Sequence, residues 1–264
     1  MDLGIQGKTA LVMASSEGLG YAVARQLVAE GARVVMTSRS SEKIESAAAN
    51  IRNEFSGAEI LTFACDVSRA ESLQQLFAFV EEKTGGADIL VQNAGGPPAG
   101  DFQSMTEDSL WEKAFELTLM SFVRSVRLAL PHMKRKQWGR IVAITSSSVK
   151  QPISNLVLSN VFRTGVVSLC KTLAADLAPE HILINAVGPG RIHTARIDYL
   201  DQIAAQRLGQ SMETYQKEAQ AKIPFGRYGT PEELAAVVAF LVSNANGYTT
   251  GQSLLIDGGL VTSL

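Results

Sequence analysis

Cysteine is scarce in this 264-residue chain: Cys65 and Cys170 lie far apart and form no CxxC pair. That excludes a disulfide framework and a zinc-binding pattern. Long apolar runs are missing as well, and none approaches the ~20 residues a membrane span needs. The first eight residues, Met1 to Lys8, lack the basic segment and apolar stretch of a secretion signal. Neither sign of charge is in surplus, since 24 Lys and Arg stand against 26 Asp and Glu for a net charge of −2. Such a balance argues against non-specific nucleic-acid binding and offers an anionic membrane no polybasic patch. Linkers, low-complexity tracts and internal repeats are also lacking. One soluble, cytoplasmic domain spanning residues 1–264 is expected. At 46% apolar residues, a chain of this length buries roughly 75% of the surface its unfolded form exposes and needs no staple.

Short apolar runs alternate with helical segments. Strands are expected at Thr9–Ala14, Arg33–Thr37, Ile60–Cys65, Ile89–Gln92, Arg140–Thr145, Leu183–Val187 and Ser253–Ile256. Helices are expected at Tyr21–Glu30, Glu42–Phe55, from Ser68, from Ser104 toward Pro131, from about Asn155 to Leu177, and from Thr230 to near Ser243. Ser68 with Glu71, Ser104 with Glu107, and Thr230-Pro231-Glu232-Glu233 read as capping boxes. Strands that are apolar throughout suit a parallel sheet covered on both faces. The alternation predicts a doubly wound, three-layer α/β/α fold of about seven strands. Residues 191–225 are the least regular stretch and read either as a lid over a site or as a surface excursion.

After the first strand comes Ala14-Ser15-Ser16-Glu17-Gly18-Leu19-Gly20, then a helix. Gly18 and Gly20 let backbone N–H groups approach a pyrophosphate at the helix N-terminus, and Ser15 and Ser16 add hydroxyl donors. Tight strand–helix packing alone also produces a GxG, so the motif gains weight only from its βαβ setting. At the end of the second strand stands Thr37-Ser38-Arg39, without the carboxylate that takes both ribose hydroxyls in NAD sites. Arg39 with Ser38 suits a 2′-phosphate, at roughly 1.5–3 kcal/mol for a charged hydrogen bond, about a 10- to 150-fold preference. Glu17 could instead pair with Arg39, and Arg39 could simply be a solvated helix-entry residue. NADP(H) is therefore the expected cofactor, with NAD(H) possible.

Further motifs follow in order: Cys65-Asp66-Val67, Gln92-Asn93-Ala94-Gly95, Gly139-Arg140-Ile141-Val142, Asn185 through Gly190, and Ile256-Asp257-Gly258-Gly259. From Gly7 to Gly259 the chain resembles the short-chain dehydrogenase/reductase family, in its 3-oxoacyl-carrier-protein-reductase-like branch. The resemblance implies a Rossmann-type fold with NAD(P) across the carboxyl ends of the strands. By position it assigns Gly18, Leu19 and Gly20 to the glycine turn and sets Asp66 and Val67 beside the adenine. It puts Asn93 and Gly95 along the cofactor wall, and Pro189, Ile192 and Thr194 near the nicotinamide and phosphates. It also implies a homodimer or homotetramer acting on a small molecule. Met13-Ala14 stands where the family carries Thr-Gly, adding a methyl near the cofactor.

The catalytic positions depart further. The family uses Ser, Tyr, Lys and Asn, and aligned here these fall on Ser146, Ser159, Arg163 and Thr118. Ser159 and Arg163 keep the i,i+4 relation that places them on one helix face, but an alkyl hydroxyl is a far weaker acid than a phenol, and arginine holds its protons. None of the five tyrosines (21, 199, 215, 228 and 248) is within a turn of Ser159. Tyr199 and His193 are candidate substitute donors. Losing a positioned general acid removes ~10²–10⁴-fold, while the larger gain from holding the reactants together survives in an intact pocket. Three readings follow: an NAD(P)(H)-dependent oxidoreductase of atypical mechanism; a dinucleotide-binding pseudoenzyme or non-catalytic partner subunit; and a lyase or isomerase keeping the nucleotide as support.

Overall fold

The computed structural model describes residues 2–263. Seven parallel strands form one sheet: β1 (Thr9–Val12), β2 (Arg33–Ser38), β3 (Ile60–Ala64), β4 (Ile89–Gln92), β5 (Gly139–Ile144), β6 (Ile182–Pro189) and β7 (Ser253–Ile256). Their spatial order is β3-β2-β1-β4-β5-β6-β7. The chain thus winds outward from β1 to β3 and returns to start the other half at β4. That reversal leaves a crevice beyond the carboxyl ends of β1 and β4, where open α/β sheets bind ligands.

The alternation of side chains along each strand builds two cores. Ala10 and Val12 of β1 face α1 (Gly18–Ala29), α2 (Ser41–Glu54) and α9 (Pro231–Leu241). Leu11 and Met13 face the opposite layer, made of α3 (Ala70–Thr84), α5 (Ser121–Lys136) and α6 (Val157–Leu177). Strands β1, β4 and β5 are buried along their whole length, while the edge strands β3 and β7 are only half covered. The expected three-layer, doubly wound architecture is the one observed. Three further helices, α4 (Asp108–Phe115), α7 (Ala195–Leu208) and α8 (Met212–Ala221), lie beyond the carboxyl ends of the strands or flank them. Among the described residues no helix is long and apolar enough to cross a membrane, and both cysteines are free and buried.

Three local expectations are corrected. Ser68 does not cap α3: its hydroxyl donates to the Asp66 carboxylate at 2.7 Å, and Arg69 precedes the helix. Ser104 does not cap α4 either; it closes a turn on Asp101 through two 2.9 Å hydrogen bonds, and the helix starts after Glu107. In both cases a nearer acceptor satisfies the serine before the helix N–H groups can. The helical stretch also does not stop at Pro131, which sits inside α5. The carbonyl that loses its partner belongs to Arg127, an exposed residue, while Phe122, Val126 and Met133 anchor the other side.

The third capping box is real. Thr230 accepts from the Glu233 N–H at 3.4 Å and Glu233 accepts from the Thr230 N–H at 2.8 Å. Arg227 grips the same carboxylate at 2.6 Å and 2.9 Å, and with the Thr230 N–H it holds Glu233 down to about 2. A Thr230→Ala substitution is expected to lower unfolding free energy by about 1 kcal/mol in urea denaturation. Glu233 stabilises fully above its ordinary value of 4.5 and loses that contribution as pH falls toward 2. Wild type and Glu233→Gln should therefore differ in melting temperature at pH 6, less so at pH 3, and converge toward pH 2.

Candidate active site

A continuous cleft of about 1060 Å³ runs along the carboxyl ends of the strands. Its first wall is the turn between β1 and α1. Ala14 adopts φ +45°, in the left-handed region that an L side chain occupies at a cost of roughly 1–2 kcal/mol. This conformation ends β1 at Val12, two residues before the sequence suggests. It also aims the Ala14 carbonyl at α1, where it accepts from the Asn93 amide at 3.1 Å. Gly20 lies directly behind: a Cβ there would stand 2.3 Å from that carbonyl and 2.8 Å from the Asn93 amide nitrogen. Gly20 is therefore required for packing and does not line the cleft.

Ser16, Gly18 and Leu19 do line it. Ser15 does not; it is wholly buried, donating to the Val12 carbonyl at 2.9 Å and accepting from the Thr37 N–H at 3.0 Å. Its hydroxyl joins β1 to β2 and is not available to a phosphate. No side chain caps α1 and its first turn carries no acid, so the helix offers its free N–H groups and positive end to an anion.

At the end of β2, Ser38 lines the cleft with its hydroxyl donated to the Ser40 carbonyl at 2.7 Å. Arg39 is exposed at the rim and forms no ion pair among the described residues, Glu17 included. Lys43, one turn into α2, joins this rim and was not anticipated. Its spacing from Arg39, four residues on across a helix start, was a readable signal. Asp66 and Val67 line the same half, and one Asp66 oxygen is already occupied by Ser68. Asn93 and Gly95 form the middle wall, and the space around Gly95 is open. Pro189, Ile192 and Thr194 form the roof, where Thr194 caps α7 by accepting from the Ile197 N–H at 3.4 Å.

The other half holds the aligned catalytic positions. Ser146 lines the cleft and accepts from the Ser148 N–H at 3.1 Å. Ser159, on α6, is 7% exposed and faces the same space, its hydroxyl without a hydrogen-bond partner among the described residues. Arg163, one turn on, donates from Nη1 to the Ile144 and Thr145 carbonyls, each at 2.9 Å. Burial, then the charge of Arg196, pulls its guanidinium down to about 10, so it stays cationic at neutral pH. Thr118 is not in the cleft. It sits in a widened π-type turn, Glu116–Met120, between α4 and α5, where its unpartnered hydroxyl borders a small inner void shared with Gln92 and Arg163. Tyr199 lines the cleft but is half exposed, whereas His193 lies outside it, exposed and 3.3 Å from Asp198. Among the described residues no cluster of acids, histidines or cysteines could hold a metal.

The family model described as enoyl-(acyl carrier protein) reductase matches residues 13–261. The pig protein dehydrogenase/reductase SDR family member 4 (Sus scrofa) is 32% identical over 263 residues, 98% of this chain and 89% of that one. The chain belongs to the short-chain dehydrogenase/reductase family. Two solved members of similar shape extend the comparison. L-sorbose reductase from Gluconobacter frateurii, complexed with NADPH and L-sorbose, superimposes with a TM-score of 0.94 at 31% identity, covering all of both chains. An NADPH-bound short chain oxidoreductase from Pseudomonas aeruginosa PAO1 with an atypical catalytic center gives 0.87 at 29% identity, over 97% of this chain and 98% of that one.

Within this short-chain dehydrogenase/reductase the strained Ala14 is directly testable. Ala14→Gly should raise unfolding free energy by about 0.5–1 kcal/mol, the left-handed relief less the added freedom of the unfolded chain. Urea denaturation measures it, and an unchanged or lower stability would show that the Ala14 methyl packs better than its backbone suffers.

Proposed function

We propose that the protein is an NADP(H)-dependent oxidoreductase acting on a small carbonyl or hydroxyl substrate through Ser146, Ser159 and Arg163 in place of the family's usual proton donor. One observation carries this reading: a single cleft joins the Arg39–Lys43 rim and the open α1 N-terminus to the unpartnered Ser159 hydroxyl. Residues around the first end fit a dinucleotide. Arg39 and Lys43 would take the 2′-phosphate, Ser16, Gly18 and Leu19 the pyrophosphate, and Asn93, Gly95, Pro189, Ile192 and Thr194 the nicotinamide half. NADPH, when bound, supplies a hydride.

The chain's own residues then have defined tasks. Ser146 and Ser159 donate hydrogen bonds to the substrate oxygen and orient its carbon. Arg163, fixed by two main-chain carbonyls, places a permanent positive charge behind that oxygen and favours the charge that develops on it. The proton finally comes from water, because a serine hydroxyl is too weak an acid and Arg163 retains its protons. Turnover is accordingly slow by roughly the 10²–10⁴-fold that a positioned acid contributes. Residues 191–225 act as a lid through α7, whose Arg196, Ile197, Tyr199 and Leu200 face the cleft. Exposed Phe102, Phe115 and Val161 around α4 and α6 support a homodimer or homotetramer, and two free buried thiols suit the cytoplasm.

Thr118's withdrawal from the cleft favours the second reading, a dinucleotide-binding protein without turnover. Fluorescence titration with NADPH and NADH separates these. Arg39→Ala or Lys43→Ala should weaken NADPH at least tenfold and leave NADH nearly unchanged; no binding of either nucleotide would remove the cofactor assignment. Ser159→Ala and Arg163→Ala should each lower turnover of any accepted substrate, and unchanged rates would remove the catalytic one.

A further inference from the structure

The substrate half of the cleft carries positive charge with no counter-charge. Arg163 and Arg196 both line it, and neither forms an ion pair among the described residues. Arg163 is committed to the Ile144 and Thr145 carbonyls and Arg196 donates to the Pro97 carbonyl at 2.8 Å. These acceptors are neutral, so both guanidinium charges remain. The two acids on the cleft wall, Glu17 and Asp66, follow β1 and β3, on the far side of the β1/β4 switch from β5 and β6. Arg191, the third arginine here, is neutralised by the wholly buried Asp201 and tied to Tyr215 and Tyr228 at 3.0 and 3.1 Å. Burial depresses both Arg163 and Arg196, and the charge of Arg196 depresses Arg163 further. Two guanidinium groups that line one cleft and meet no acid on their half of it leave a place for an anion.

The same half of the cleft is walled largely by Ile153, Leu156, Ile197, Leu200, Leu260 and Val261, with Gln151, Tyr199 and the serines after β5 and on α6 among its polar groups. Gly96 supplies the seat, because a Cβ there would stand 2.9 Å from Arg196 Nη2 and 3.1 Å from its Nε. We infer that Arg163 and Arg196 form a carboxylate-binding subsite, so that the substrate is an apolar acid bearing the carbonyl or hydroxyl group to be reacted. This rests on the oxidoreductase reading for what happens to that group, but the binding itself can be tested separately. The anion could also be a phosphate of the cofactor, and the test has to tell the two apart.

Hexanoate and its neutral counterpart hexanamide are the probes, with dissociation constants from ligand-observed NMR on the full-length protein, with and without NADPH. Hexanoate should bind at least tenfold tighter than hexanamide. Arg196→Gln should reduce that ratio to near one. Gly96→Ala, which keeps both arginines but displaces Arg196, should reduce it in part. Equal affinity for the two probes, or binding of neither while NADPH still binds, overturns the subsite. So does inorganic phosphate occupying the arginines and being displaced by NADPH, since the pair then serves the cofactor. Selective hexanoate binding without any nucleotide binding supports the subsite and removes the oxidoreductase reading instead.

Discussion

The contact between Gly20 and the Ala14 carbonyl sets the shape of everything that follows at the cleft. Because no Cβ intervenes, α1 packs onto the end of β1, and the Asn93 amide can reach the same carbonyl from β4. Strands on either side of the topological switch are thereby joined at one atom. The N-terminus of α1 is left uncapped and facing open space. Ala14 takes up a left-handed backbone to make this possible, and the strain resides at the site where it shapes a binding wall.

Charge divides the cleft into two functional regions. At one rim, Arg39 and Lys43 stand free beside a helix N-terminus, a setting suited to phosphate. At the other, Arg163 and Arg196 stand over serine hydroxyls and apolar walls. Arg163 differs from an ordinary substitute for lysine because two main-chain carbonyls fix its position. A planar guanidinium with several donors can make those bonds and still present charge to the cleft. Under the proposed function, a hydroxyl and a guanidinium standing where the family carries a phenol and an ammonium would change proton supply far more than electrostatics.

The strands, the three layers and the glycine turn that opens the cleft were legible because they follow from apolar runs, their alternation with helices, and a GxG after the first strand; the spatial order of the strands was not. The Thr230 capping box was legible for the same reason: all its partners lie within four residues. Ser68 and Ser104 show the limit of such local rules, since each found a closer acceptor in its own turn. Ser15, read as a donor in the glycine turn, and Thr118, placed by alignment, both face away from the cleft. Lys43 joins the site through its four-residue spacing from Arg39 across the start of α2, a local pattern that becomes informative only once α2 turns toward the cleft.

The sequence alone determined that this protein is a parallel α/β sheet with a glycine turn after its first strand, a basic residue rather than a carboxylate after the second, and no tyrosine near Ser159. Those properties are written in residues a few positions apart, where spacing and side-chain chemistry suffice. Tertiary structure alone decided which hydroxyls reach the cleft, that Glu17 leaves Arg39 free, and that Arg163 and Arg196 share one space without an acid between them. These depend on side chains from β5, α6 and α7 converging across long sequence separations, and on which competing hydrogen bond each group finds first once the core is packed.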